Sequence, residues 1–178
     1  MQRLLVMTVI GPDRPGLVES VATLVARHGG NWLESRMSRL GGQFAGILRI
    51  EMPGEAETAF REDLAQLQQR GLRIVVQEDQ PASAPAEARF SVLEIVGQDR
   101  PGIVKEISRV LAAHLVNVEE LETECSSAAM SGETLFRARA KLRIPGGCDL
   151  AVLRQELEKI AADLIAEITL ADVEPKAL

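Results

Sequence analysis

The chain has 178 residues, 46% hydrophobic but only 3% aromatic, with a formal net charge of −6. Its cores must therefore be built from aliphatic side chains. The absence of any Lys/Arg run or RNP-like aromatic motif argues against direct nucleic-acid binding, which needs clustered cations to release phosphate counterions. No stretch approaches the ~18–20 apolar residues of a membrane span, so a soluble cytoplasmic protein without membrane contact is expected.

Residues 4–10 form a short apolar run closed by Gly11-Pro12, which reads as a strand rather than a signal peptide. Met7 and Val9 share one side of it and are expected to face helices. Leu17, Val18, Val21, Leu24 and Val25 then recur at helical spacing, giving an amphipathic helix that Gly29-Gly30 ends. Two strands follow, residues 31–40 and 43–52, joined by Gly41-Gly42 as a hairpin turn. After Pro53-Gly54, Phe60, Leu64 and Leu67 mark a second helix, and residues 72–78 a closing strand.

The whole pattern then repeats. Val9-Ile10-Gly11-Pro12-Asp13-Arg14-Pro15-Gly16-Leu17-Val18 matches Ile95-Val96-Gly97-Gln98-Asp99-Arg100-Pro101-Gly102-Ile103-Val104, each residue 86 positions on. The same offset carries His28 to His114 and Asn31 to Asn117. Phe44 reaches Phe136 at 92 positions, so the second copy has gained six residues between these blocks, within residues 126–132, expected as a longer hairpin loop. Its second helix carries Leu153, Leu157 and Ile160, and residues 164–170 are the last strand.

The fold class is α+β: two tandem βαββαβ ferredoxin-like units, each a four-stranded antiparallel sheet with two helices on one face. Expected boundaries are residues 1–79 for the first unit, 80–88 for a Pro/Ala-rich linker, 89–173 for the second unit and 174–178 for a tail. Cys125 and Cys148 fall at opposite ends of adjacent strands and are expected as free thiols. His28 and His114 lie at helix ends, where they suit carbonyl capping and the helix dipole. With no ligand spacing around them, no metal is expected. Trp32 reads as core or interface filler, or as the wall of a pocket.

The repeated Gly-x-Asp-Arg-Pro-Gly loop admits two readings. As a helix start, Asp caps free N–H groups, Pro suits the first turn and Gly permits close backbone approach. As a binding loop, the same N–H groups receive a carboxylate, with Asn31 or Asn117 at the start of the next strand supplying an amide beside it. The second strands also differ in charge. Arg36 and Arg39 stand in the first copy, and Glu119, Glu120, Glu122 and Glu124 in the second. Those charges either protect a solvated edge or bring the basic edge against the acidic one, within or between chains.

The loop Gly11-x-Asp13-Arg14-Pro15-Gly16, the apolar helix after it and Gly30-Asn31 resemble the ACT domain, a ligand-sensing βαββαβ module, and both copies match over nearly their whole length. The tandem arrangement, with Ser35-Arg36-Met37-Ser38-Arg39-Leu40-Gly41-Gly42-Gln43-Phe44, is similar to the glycine cleavage system transcriptional repressor family. This resemblance implies a regulator without catalysis or cofactor. Such a protein acts through contact with a DNA-binding activator, forms a homodimer and senses an amino acid such as glycine or serine. By position it implies ligand contacts from Asp13, Arg14, Pro15, Gly16 and Asn31, and from Asp99, Arg100, Pro101, Gly102 and Asn117. The second set departs from the pattern in having Leu115-Val116 where the first has Gly29-Gly30. Two alternatives stay open: a ligand-free docking scaffold, and an acylphosphatase-like enzyme using Arg14 with Asn31.

Overall fold

The structure, a computed structural model, describes residues 1–80, 88–127 and 134–173. The linker at 81–87, most of the inserted hairpin loop (128–133) and the tail lie outside these residues. The chain divides into two compact units, Met1–Ala82 and Ser83–Leu178.

The first unit runs β1 (Gln2–Pro12), α1 (Leu17–Arg27), β2 (Asn31–Leu40), β3 (Gln43–Pro53), a 3-10 turn at Gly54–Ala56, α2 (Glu57–Gln69) and β4 (Arg73–Glu78). The second runs β5 (Ala88–Gln98), α3 (Ile103–Ala113), β6 (Asn117–Ser127), β7 (Thr134–Pro145), α4 (Leu150–Leu164) and β8 (Ala166–Val173). Each makes one antiparallel sheet, in the order β2-β3-β1-β4 and β6-β7-β5-β8. Both are the expected βαββαβ arrangement, with the second strand at an edge.

Period-two alternation sends Leu5, Met7 and Val9 into the first core, with Leu48, Ile50 and Met52 beside them on β3. The helical stripe Leu17, Val21, Leu24 and Val25 closes over them, joined by Phe60, Leu64 and Leu67 of α2. Removing such a side chain from water contributes about 1.5–3 kcal/mol, which is how two small cores hold with so few aromatics. The second core repeats the plan with Leu93, Ile95, Ile107, Leu142, Leu153 and Leu157.

Gly41 and Gly42 both have positive φ, the geometry of a tight hairpin turn. The helix ends carry a difference between the copies. Gly29 ends α1 at φ 68°, and Leu115 occupies the equivalent place at φ 56°. The closing hydrogen bonds are alike, Gly30 N–H donating to Val25 O and Val116 N–H to Leu111 O, both at 2.9 Å. The second copy keeps the turn and bears a side chain where glycine is favoured. Each second strand also carries a bulge against its neighbour, between Trp32 and Glu34 in β2 and between Val118 and Glu120 in β6.

Candidate functional site

The loop between β1 and α1 is tied down at three points. Its first glycine, Gly11, leaves room for the start of β4: a Cβ there would lie 2.7 Å from Leu72 Cδ2 and 3.0 Å from the Gly71 carbonyl. The Asp13 N–H donates to Gly42 O at 2.9 Å, fixing the loop to the β2–β3 turn. Arg14 reaches across to α2, its Nη2 donating to Arg70 O at 2.7 Å, a helix C-terminus that favours a cation.

Asp13 does not cap the helix. Gly16 is the N-cap, in the left-handed region at φ 86° and without a side-chain acceptor for the first-turn N–H groups. Asp13 sits too far back and pairs with Arg39 of β2, Nε to Oδ2 at 2.5 Å. Pro15 likewise precedes the cap and lies outside the first turn. By contrast, Asp149 caps α4 as an aspartate ordinarily does, accepting from Ala151 and Val152 N–H. The uncapped α1 start borders a cleft of about 260 Å³ lined by Arg14, Gly16, Glu19, Ser20, Leu67 and Arg70, among others.

The second loop has the same backbone and different chemistry around it. Gly97 lies under Ala166, Asp99 N–H donates to Thr134 O at 2.9 Å, and Gly102 caps α3 at φ 100° without a side-chain acceptor. Where Arg39 stands in the first copy, the second has Cys125. Its thiol is pushed above the usual cysteine range, first by desolvation and then by the charge and hydrogen bond of Asp99. Glu19 and Ser20 become Lys105 and Glu106.

The asparagines are not beside these loops. The loop sits at the Leu40–Gln43 end of the hairpin, and Asn31 begins β2 at the other end, opposite Glu51. Nine residues at ~3.3 Å each separate them by about 30 Å. A single unit therefore brings Asp13, Arg14, Pro15 and Gly16 together with Arg39 and Arg70, and leaves Asn31 apart. The Arg14–Asn31 pair required by the acylphosphatase reading is not assembled. Asn117 is similarly remote from Asp99 and is engaged elsewhere, its Nδ2 donating to Glu119 Oε1 at 2.7 Å beside Arg143.

Other sequence candidates have structural places. His28 bridges α1 to α2 rather than capping carbonyls: its Nε2 lies 3.1 Å from Asp63 Oδ2 and its ring meets Phe60 edge-on at 5.6 Å. His114 pairs in the same way with Glu156 at 3.3 Å. Trp32 packs half-buried against the first core. Both cysteines are free. Among the described residues no group of His, Cys, Asp and Glu is arranged to hold a metal, and no helix is long and apolar enough to cross a membrane. The edge charges have partners on their own sheets: Arg36 with Glu34 at 2.7 Å, Arg39 with Asp13, and Glu119 with Arg143 at 2.8 Å. Sequence reading missed Glu19, Arg70 and the loop role of Arg39. The last was accessible from strand pairing, since Gly11 and Arg39 both lie opposite Phe44.

Comparison with known proteins agrees with this architecture. Residues 3–77 match the family model of the ACT domain. The glycine cleavage system transcriptional repressor of Escherichia coli K12 is 25% identical over 170 residues, 93% of this chain and 88% of that one. The crystal structure of an unknown protein from Galdieria sulphuraria superposes with a TM-score of 0.85 at 27% identity, covering 98% of this chain and all of the other. That of a candidate glycine cleavage system transcriptional repressor has the same fold, with a TM-score of 0.71 at 22% identity over 98% of this chain and 99% of its own. The first unit thus matches the ACT domain, the second repeats its ferredoxin-like fold, and the chain is similar over most of its length to the glycine cleavage system transcriptional repressors.

Proposed function

We propose that the protein is a non-enzymatic regulator of glycine cleavage that works through protein contact, forms a homodimer and senses glycine, serine or a related amino acid. The observation that carries the ligand reading is the start of α1. Its N–H groups lack a side-chain cap, and they open on a cleft bearing Glu19, Arg14 and Arg70. A free amino acid carries one carboxylate and one ammonium. The helix start and Arg70 suit the first, and Glu19 suits the second. Pro15 and Gly16 line the cleft, and Asp13 lies just outside it, held by Arg39. Asn31 lies at the far end of the sheet and would meet the same ligand only from a second chain.

The loop of the second copy offers Asp99, Arg100, Pro101 and Gly102, but Lys105 replaces the carboxylate of Glu19 and Asn117 is held by Glu119. Amino-acid sensing is therefore assigned to the first copy. Thermal melting with a panel of amino acids tests this, because saturable binding raises the melting temperature by linkage. Glycine or serine is expected to give a shift that Glu19→Gln and Arg70→Ala each abolish.

One observation favours a second reading, a ligand-free scaffold that only docks its partner. Asp13 and Arg14 are both already satisfied, by Arg39 and by the Arg70 carbonyl. No melting shift with any amino acid, alongside retained partner binding, would decide for the scaffold.

A further inference from the structure

The sheet faces turned away from the helices differ sharply between the copies. On the first, Ile47, Val75 and Ile10 are exposed around Thr8. On the second, the equivalent rows are charged. Every second residue of β7 from 137 to 143 is a cation: Arg137, Arg139, Lys141 and Arg143. Cross-strand from the first three stand Glu124, Glu122 and Glu120 of β6, and Glu94 of β5 lies on the other side of Arg139.

The outcome is a column of positive charge beside a column of negative charge, one strand spacing or ~4.8 Å apart, with charges repeating every ~6.6 Å along each. Three pairs inside the sheet are loose, at 3.7 Å for Arg137–Glu124, 3.4 Å for Arg139–Glu94 and 3.8 Å for Lys141–Glu120, while Arg143 is held at 2.8 Å by Glu119. Glu94, Glu122, Glu124, Arg137 and Arg139 line an open hollow of about 460 Å³. Exposed cross-strand pairs of this kind are worth only ~0.2–1 kcal/mol each, so Glu122, Glu124, Arg137 and Arg139 remain open to an outside partner.

We infer that this face is a self-complementary docking surface whose occupant is the same face of a second copy of the chain. A two-fold axis between β6 and β7 reverses the order of the columns, so the negative column of one protomer lies over the positive column of its partner, in register by symmetry. A purely acidic or basic partner would be repelled by half of this face. With the axis between β6 and β7 only those two strands overlap with the partner's, roughly 10 Å by 26 Å from strand spacing and rise, about 250 Å² per protomer. That is below the ~800 Å² of a standard interface, so the contact is weak and, being ionic, salt-sensitive. This inference rests on the homodimer proposed above and gives it a surface; it is independent of the ligand.

The test is sedimentation of the full chain at rising concentration, at about 50 mM and about 500 mM salt. The wild type is expected to dimerise at low salt, roughly tenfold or more weakly at high salt. E122K/E124K and R137E/R139E each put one sign on both columns at those two rungs and are expected to be monomeric. Mixed in equal amounts, the two variants should associate with each other. E122Q/E124Q, which keeps side-chain size, should weaken the dimer without affecting the melting curve. A wild type that stays monomeric at low salt overturns both this surface and the homodimer. A dimer indifferent to salt and to the reversals overturns this surface and leaves the homodimer standing.

Discussion

Arg39 holds the carboxylate of Asp13 at 2.5 Å, joining the end of β2 to the loop that starts α1. Arg39 is 69% exposed on its side chain, and exposed ion pairs contribute at most about 1 kcal/mol. Arg39→Ala is thus expected to change the stability in urea by less than about 1 kcal/mol while freeing the Asp13 carboxylate to swing toward the helix start. There it would compete with a bound carboxylate. The expected outcome is a near-normal melting temperature with a reduced amino-acid-induced shift. A shift equal to that of the wild type would separate this pair from ligand binding.

The second copy places a thiol in the same setting. Burial effects and then Asp99 push Cys125 upward, and burial effects with Asp149 do the same to Cys148. Only the thiolate is alkylated, so a raised pKa means slow reaction near neutrality. Asp99→Asn removes an anion that disfavours the thiolate. The pH profile of Cys125 alkylation should move down, with faster labelling at neutral pH and no change at Cys148. Mass spectrometry of the labelled chain distinguishes the two sites, and an unaltered Cys125 profile would contradict the assignment.

Among the described residues, Leu115 and Ile165 are the two non-glycine residues at positive φ, 56° and 50°, and both are largely exposed, at 81% and 77%. A side chain in this region costs about 1–2 kcal/mol, and little burial is lost on removing it. Leu115→Gly and Ile165→Gly should each stabilise the second unit by about 1 kcal/mol, a few degrees in melting temperature for a unit of this size. Gly29→Ala, at the matching turn of the first unit, should destabilise. Equal and opposite signs in denaturant titrations would support this, and a loss on Leu115→Gly would refute it.

Gly97 marks where the last strand crosses the loop motif. An added Cβ would lie 2.6 Å from Ala166 Cβ and 2.9 Å from Ala166 Cα. Gly97→Ala should therefore cost about 1–3 kcal/mol by overpacking. Ala166→Gly removes the nearer atom, so the double variant should recover part of that loss. A double-mutant cycle reads the coupling directly, and additive effects would mean the contact is not the reason for the glycine.

The duplicated fold was legible because three independent signals coincided: the 86-residue offset, the two periodicities and the turn residues. The site was legible only in part, for reasons of length and backbone. Eleven residues of α1 carry the chain about 16 Å to the far end of the sheet, so Asn31 follows the loop closely in sequence and ends up remote from it. The cap was misread because Gly16 takes a left-handed conformation, which places Asp13 three residues ahead of the N-cap. Chain order alone does not announce that. The partners of Asp13 and Arg14 come from β2 and α2, and only strand register and helix packing bring them in.

The bulges in β2 and β6 have a consequence for counting. Before the bulge, Asn31 and Asn117 point away from the helices as odd-numbered residues; after it, the same face is taken by even ones, Glu34 and Arg36 in β2, and Glu120, Glu122 and Glu124 in β6. The extra residue, Leu33 or Glu119, works as a change of parity. Straightening the bulge with that residue retained would impose strict alternation and turn the rest of the strand over, pointing Met37 to solvent in the first unit and driving three glutamates toward an aliphatic core in the second. Both copies keep the extra residue, so each strand reads its two halves by opposite rules.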